Sequence, residues 1–255
     1  MYLIQKIVFS FLLTIFFFNS TLIASTISLG VASNISYVIK PLIKEFQKNH
    51  KDIRVQVSLG SSGKLTAQIK NGAPYDIFMS ANMNYPNSLY TSGISLSKPK
   101  IYAFGKLALL SVKSRDLTQG LKVLQLSSIK RIAIANPKTA PYGLATAEAL
   151  KTTKIYKVIK TKIIYGESIS QTLSYSLHAT DIGIVALSAL YSPSMEKYHN
   201  AKHFKELNGN SYTPIAQGVI LLKRAKDRSD AKVFYKFLFS SQAKEILKSY
   251  GYNTL

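Results

Sequence analysis

Gly60-Ser61-Ser62-Gly63-Lys64-Leu65-Thr66-Ala67-Gln68-Ile69-Lys70-Asn71-Gly72-Ala73-Pro74, running on into Tyr75-Asp76-Ile77-Phe78-Met79-Ser80-Ala81, is the stretch that decides the fold. Just before it, residues 53–57 alternate apolar and polar side chains as a strand does. After Gly60 come small hydroxyl residues, a short helical pattern stopped by Gly72, and a buried-type strand over 76–80. A strand, a Ser/Gly turn and a helix in that order aim free backbone N–H groups and one or two hydroxyls at a single spot. That spot suits an anion, because first-turn amides lack partners and the helix dipole favours negative charge. Two or three such spots facing one cleft make an oxyanion receptor.

The same order recurs outward from this stretch. Residues 27–31 read as a strand and Ala32-Ser33-Asn34 as a turn, after which Ile35, Val38, Ile39, Leu42, Ile43 and Phe46 form one apolar helical face. Pro41 falls inside that helix and predicts a kink, since it removes one hydrogen bond. Residues 82–100, rich in Asn, Ser, Pro and Gly, read as a mobile surface connection. A second unit opens with strand-like segments at 107–112 and 132–135. The latter ends in Asn136-Pro137-Lys138-Thr139-Ala140-Pro141-Tyr142-Gly143, ahead of a helix over 144–151. Ile163-Ile164-Tyr165 leads through Gly166-Glu167-Ser168 into a helix over 169–177, and 181–186 is a buried strand. A last strand over 217–222 and an amphipathic helix pair over 231–239 and 242–250 close the chain. Alternating β and α segments predict mainly parallel sheets flanked by helices. No internal repeat goes beyond this theme, and no segment is of low complexity.

At 255 residues the chain has room for one large domain or two of about 110 residues each. A hydrophobic content of 47% is ample for a core. The N-terminus stands apart: Lys6 precedes an apolar run from Ile7 to Phe18, followed by polar Asn19-Ser20-Thr21 and a small-residue exit near Ala24-Ser25. That is the pattern of a secretory signal peptide, expected over residues 1–24, and the run is short for a membrane span of about 20 residues. There is no Cys, which excludes thiol catalysis, zinc–thiolate sites and disulfides and is compatible with an oxidising periplasm. Thirty-three Lys+Arg against 12 Asp+Glu give a net charge of +21. The lysines are scattered singly, with no arm or stripe, so nucleic-acid binding is not expected. A solvated basic surface, which also steers a small dianion inward, fits better.

With these segments in place, the chain resembles the periplasmic molybdate-binding proteins of ABC transporters, a branch of the type II periplasmic binding proteins. The Ser-Ser-Gly…Gln-Ile…Gly-Ala-Pro…Asp-Ile-Phe-Met-Ser-Ala block carries most of the likeness. Asn136-Pro137…Ala140-Pro141-Tyr142-Gly143, Gly183-Ile184-Val185 and the ending Phe234-Tyr235-Lys236-Phe237-Leu238…Ala243…Ile246…Tyr250-Gly251-Tyr252 extend it over nearly the whole mature chain. The resemblance implies two α/β lobes joined by a two-strand hinge, closing on the anion. Crossings near Tyr102-Ala103 and Thr213-Pro214 would make residues 27–102 plus 214–255 one lobe and 103–213 the other. It implies ligand turns at Ser33 with Asn34 beside it, at Ser62, at the backbone N–H of Tyr142 and at the backbone N–H of Ile169. Many members add a Tyr hydroxyl directly after the Gly-Ile-Val strand; here that residue is Ala186, so one donor of that pattern is missing. Also implied are molybdate or tungstate as ligand, a membrane permease as partner, a monomeric periplasmic protein, no catalytic activity and no cofactor.

These residue types suit the chemistry. A tetrahedral dianion carries only acceptors at neutral pH, and neutral donors at helix N-termini hold it without a buried Lys or Arg. A site with donors and no acceptor leaves the proton of a protonated phosphate unmatched, at a cost of about 1–3 kcal/mol. Taken singly, Ser33, Asn34, Ser62 and Ser168 are also ordinary helix caps; their concurrence in four turns favours the ligand role. Other motifs are weaker. Ser61-Ser62-Gly63-Lys64 satisfies S-x-x-K and Ser80-Ala81-Asn82 satisfies S-x-N, which raises a serine acyl-enzyme hydrolase or transferase using Ser61 and Lys64 as the alternative. The third element of that signature is absent, since Lys138-Thr139 is followed by Ala140. Gly63-Lys64 fails as a P-loop because Ser58 stands where Gly is needed and Leu65 where Ser/Thr must hold magnesium. His199 and His203 have i, i+4 spacing but read as a surface pair rather than a metal site.

Overall fold

The computed structural model describes residues 25–255. The expected signal peptide, residues 1–24, lies outside the described residues. Ten strands are arranged in two sheets: β1 Ser25–Ala32, β2 Ile53–Gly60, β3 Ile77–Ser80, β4 Lys100–Gly105, β5 Leu107–Leu110, β6 Ile132–Ala135, β7 Ile163–Gly166, β8 Ile182–Ala186, β9 Phe204–Glu206 and β10 Ile215–Leu221. The first sheet has the order β2-β1-β3-β10-β4 and the second β7-β6-β8-β5-β9.

Both sheets follow one plan. Three neighbouring strands are parallel, β2-β1-β3 and β7-β6-β8, and two further strands are added antiparallel, β10-β4 and β5-β9. The sheets are therefore mixed, with a parallel half in each, as expected of helix-flanked sheets whose edges are completed by the crossing chain. The chain leaves the first sheet at Lys106, between β4 and β5, and re-enters it at β10. Each sheet has its own core. Ile27, Leu29, Val31 and Phe234 are buried in the first, and Leu109, Ile132, Ile134 and Ile184 in the second.

Parallel register places the site. Ala32 pairs with Gly60, so the turns that follow β1 and β2 emerge side by side. Ala135 pairs with Gly166, so those following β6 and β7 do the same. Both pairs of turns lie at the carboxyl ends of parallel strands, where open α/β sheets bind ligands.

Two local expectations are corrected. The helix after β1 is not one kinked rod: a 3-10 turn, Ser33–Ile35, is followed by a separate helix, Ile39–Gln47, with Pro41 in its first turn. A first-turn N–H has no intrahelical partner, so proline costs nothing there. Residues 82–100 contain a helix, Asn84–Thr91, that buries Pro86 and Leu89. Its Asn, Ser and Pro content suggests a loop, but Pro86 again occupies the first turn, and burial of Leu89 outweighs weak propensity. Asp76, fully buried, ties the first lobe together: it accepts from the Ser28 N–H at 2.7 Å and pairs with Arg224 and Arg228, each at 3.1 Å.

Candidate functional site

Four element starts converge on one small chamber between the two sheets. They are the 3-10 turn Ser33–Ile35 and the N-termini of the helices Ser62–Lys70, Pro141–Thr152 and Ile169–His178. The chamber is walled by Ser33, Asn34, Ser62, Tyr142 and Ile169, with Ala32, Ser61, Ala81, Ala140 and Pro141 between them. No acidic or basic side chain is among its walls. The structure thus brings Ser33, Asn34, Ser62, Tyr142 and Ile169 to one place, although 136 positions separate the first from the last.

The donors are free to act. The backbone N–H groups of Asn34, Ser62, Tyr142 and Ile169 have no acceptor among the described residues, as the first turn of a helix requires. The carbonyls of these turns are already engaged. Thr66 Oγ1 donates to the Ser62 carbonyl at 2.8 Å, Thr146 Oγ1 to the Tyr142 carbonyl at 2.8 Å, and Thr172 Oγ1 to the Ser168 carbonyl at 2.9 Å. Each is a threonine bonding back four residues, and all three are buried. Ser168 also caps its helix by accepting from the Gln171 N–H. The turns therefore leave backbone donors free while these backbone carbonyls are engaged.

The hydroxyl of Ser62 is directed by its neighbour. Ala81 donates its N–H to Ser62 Oγ at 3.0 Å, which leaves the hydroxyl proton to be given elsewhere. Two walls of the chamber are also joined directly: Gly63 N–H donates to the Thr139 carbonyl at 3.0 Å, and Ser170 Oγ to the Ser33 carbonyl at 2.9 Å. These bonds link turns of the first sheet to turns of the second.

The side chains of Asn34 and Tyr142 do not supply ligands in this arrangement; they turn inward. Asn34 Nδ2 donates to Gln217 Oε1 at 2.8 Å and to the Tyr252 hydroxyl at 2.9 Å, and lies 3.5 Å from the Tyr142 hydroxyl. Tyr252 in turn bonds to Ser188 Oγ at 3.1 Å. Burial pushes the Tyr252 phenol up to about 12 and the Tyr142 phenol well above its ordinary value of 10. Both stay protonated and neutral, so the chamber rests on an uncharged hydrogen-bonded floor.

Other sequence candidates separate. Lys64 is exposed and makes no hydrogen bond with Ser61, so the S-x-x-K pairing is not formed. His203 Nδ1 lies 3.0 Å from the Ser111 carbonyl, while the His199 ring stacks on Phe204. No cluster of three metal-binding side chains occurs among the described residues. Ala186 ends β8 with only a methyl group to offer. Gln217 and Tyr252 were not anticipated as site residues. Tyr252 carries a signal only as part of the terminal Tyr-Gly-Tyr, and Gln217 reads as an ordinary strand residue.

Comparison with known proteins agrees with this geometry. Residues 27–253 match the family model described as bacterial extracellular solute-binding protein. The molybdate-binding protein ModA of Azotobacter vinelandii is 33% identical over 233 residues, covering 90% of each chain. That of Rhodobacter capsulatus is 30% identical, covering 92% of this chain and 96% of the relative. Among solved structures, the periplasmic molybdate-binding protein of Azotobacter vinelandii superposes with a TM-score of 0.83 at 32% identity, over 90% of this chain and 99% of that one. The sulfate-binding protein SubI of Mycobacterium tuberculosis shares the fold, with a TM-score of 0.72 at 13% identity.

Proposed function

The chain belongs to the bacterial extracellular solute-binding protein family, and we propose that within it this protein captures molybdate, or the closely similar tungstate, for delivery to the permease of an ABC transporter. It is a binding protein and not an enzyme. The observation that carries this reading is the convergence of four partnerless N–H groups and the Ser62 hydroxyl on a chamber walled by buried, uncharged residues. Helix-terminal donors neutralise a dianion through their dipoles. Because the carbonyls of Ser33, Ser62, Tyr142 and Ser168 are already occupied, the partnerless Asn34 Oδ1 is the one acceptor of these turns left for the proton of a protonated oxyanion, which disfavours hydrogenphosphate. The likeness to two molybdate-binding proteins at 30% identity or more selects molybdate among the oxyanions.

Capture is coupled to closure in this proposal. Ser33, Asn34 and Ser62 follow strands of the first sheet, Tyr142 and Ile169 those of the second. An anion touching both sets stabilises the closed form by its differential affinity for it, and the permease recognises that form. The protein works as a monomer without a cofactor, in the periplasm, after removal of the leader over residues 1–24. Calorimetric titration of the mature chain with molybdate, tungstate, sulfate, phosphate and chromate, paired with small-angle scattering, tests the proposal. Molybdate and tungstate should bind much more tightly than sulfate or phosphate, shrink the radius of gyration and raise the melting temperature by mass action. Equal affinity for sulfate, or binding without compaction, would overturn it.

A further inference from the structure

We infer that Gln217 is a positioning residue for the anion site, using one side-chain amide to hold both ligand turns of the first lobe. Gln217 lies on β10, at a β-bulge where Tyr102 of β4 is the extra residue between the pairs Gln217–Ala103 and Gly218–Ile101. Bulges re-aim side chains near functional sites. Here the Gln217 side chain is fully buried beneath the chamber floor.

Both ends of its amide are committed. Nε2 donates to the Ile215 carbonyl at 2.9 Å and points at the Ala81 carbonyl at 3.4 Å; Oε1 accepts from Asn34 Nδ2 at 2.8 Å. Two carbonyls on one side fix which end is nitrogen, because a carbonyl cannot donate. The oxygen must then face Asn34, and Asn34 must present its nitrogen in return. The consequence is visible: Asn34 Oδ1 is buried without a partner. An orphaned acceptor is costly, so the orientation of Asn34 is imposed by Gln217 and Tyr252 and not by its own bonding needs. On the other arm, Ala81 is the residue whose N–H holds Ser62 Oγ. The amide thus connects the Ser33-Asn34 turn to the Ser62 turn through one residue on a crossing strand. Room for it depends on Gly105, where a Cβ would stand 2.9 Å from Gln217 Nε2 and collide with the Tyr142 hydroxyl.

This inference rests on the oxyanion-binding reading, and its test separates the two. The mature chain and its Gln217→Met, Asn34→Leu and doubly substituted forms are titrated with molybdate, and their ligand-free melting temperatures recorded. Gln217→Met should weaken binding about 10- to 100-fold, the range for groups that orient ligating residues. The double variant should bind no worse than about threefold below the weaker single one, because two residues acting as a unit are not additive. Should Gln217→Met fail to fold, Gln217→Asn keeps an amide in the core but is too short to span Asn34 and Ala81, and should show the same weakening. Unchanged affinity in either Gln217 variant, or losses that multiply in the double variant, would overturn the assignment and leave the function standing. An unaltered protein that binds no oxyanion would overturn both.

Discussion

Replacing Gly63 by alanine should stabilise the ligand-free protein and weaken its hold on the anion, two effects of opposite sign from one methyl group. Gly63 lies in the first turn of the helix Ser62–Lys70, without the positive φ that favours glycine. In an open protein the added methyl meets only the gain of alanine over glycine in a helix, about 0.5–1 kcal/mol. In the closed arrangement a Cβ there would stand 2.8 Å from the Tyr85 hydroxyl, 3.0 Å from the Thr139 carbonyl oxygen and 3.1 Å from Thr139 Cα. The Tyr85 hydroxyl ends a side chain and can swing aside. The Thr139 backbone cannot, because its carbonyl already accepts the Gly63 N–H at 3.0 Å and leads directly into the Tyr142 turn. The two walls must therefore part by a few tenths of an ångström, and overpacking of this kind costs about 1–3 kcal/mol. Only the closed form bears that cost, so affinity for molybdate should fall about 5- to 150-fold. Calorimetry measures the affinity and thermal denaturation without ligand measures the stability. Adding Tyr85→Phe should not restore binding, since the backbone contact remains. Wild-type affinity in Gly63→Ala, or a ligand-free melting temperature that falls with the affinity, would refute the reasoning.

Four further outcomes are expected. Ser62→Ala should weaken molybdate binding by about 1.5–3 kcal/mol, the range for a hydrogen bond to a charged group; it should also lower the melting temperature, because the Ala81 N–H loses its acceptor. Wild-type affinity on titration would remove Ser62 from the site. Tyr142→Phe should retain binding to within about an order of magnitude while Tyr142→Pro loses far more, since the ligand is the backbone N–H that proline lacks; calorimetry of the two variants decides it, and abolition by Phe would make the phenol the ligand. Affinity should be flat between about pH 6 and 9 because no wall residue titrates there, a result that titrations across that range check directly. Stability should behave differently at the alkaline end. Tyr252 is raised to about 12, above its unfolded value, so its neutral form contributes stability that is intact below about pH 10 and lost as pH climbs toward 12. Chemical denaturation at stepped alkaline pH reads that loss.

The turns that line the chamber were legible in the sequence because each is local. A strand, a small-residue turn and a helix lie within about a dozen residues, and an anion-facing helix start is written in the residues that begin it. Parallel pairing then does the rest: Ala32 opposite Gly60 and Ala135 opposite Gly166 make neighbours of turns that the chain keeps apart. The segments that misled did so because composition is a weak guide where packing decides. Asn84–Thr91 has loop-like residues but a Leu89 that is fully buried, and Pro41 counts against a helix only outside its first turn.

What holds the turns in place was not legible, for a different physical reason. Gln217 meets Asn34 across 183 positions and Tyr252 meets it across 218, and nothing in either local sequence marks the encounter. A glutamine in an apolar strand has the same appearance whether it faces solvent or ends beneath a binding site; only the bulge opposite it, in another strand, decides. The same holds for the phenols. The motif around Tyr142 points to its backbone N–H and says nothing of its ring, which is among the largest fully buried side chains of the described residues. Its hydroxyl meets a neutral network built by the far end of the chain. Recognition of a dianion by uncharged donors needs those donors fixed before the anion arrives, since none carries the charge to pull the others into place. In this protein that fixing comes from residues that never enter the chamber. Selectivity should accordingly be more sensitive to Gln217 and Gly105 than their distance in sequence from any ligand turn would suggest.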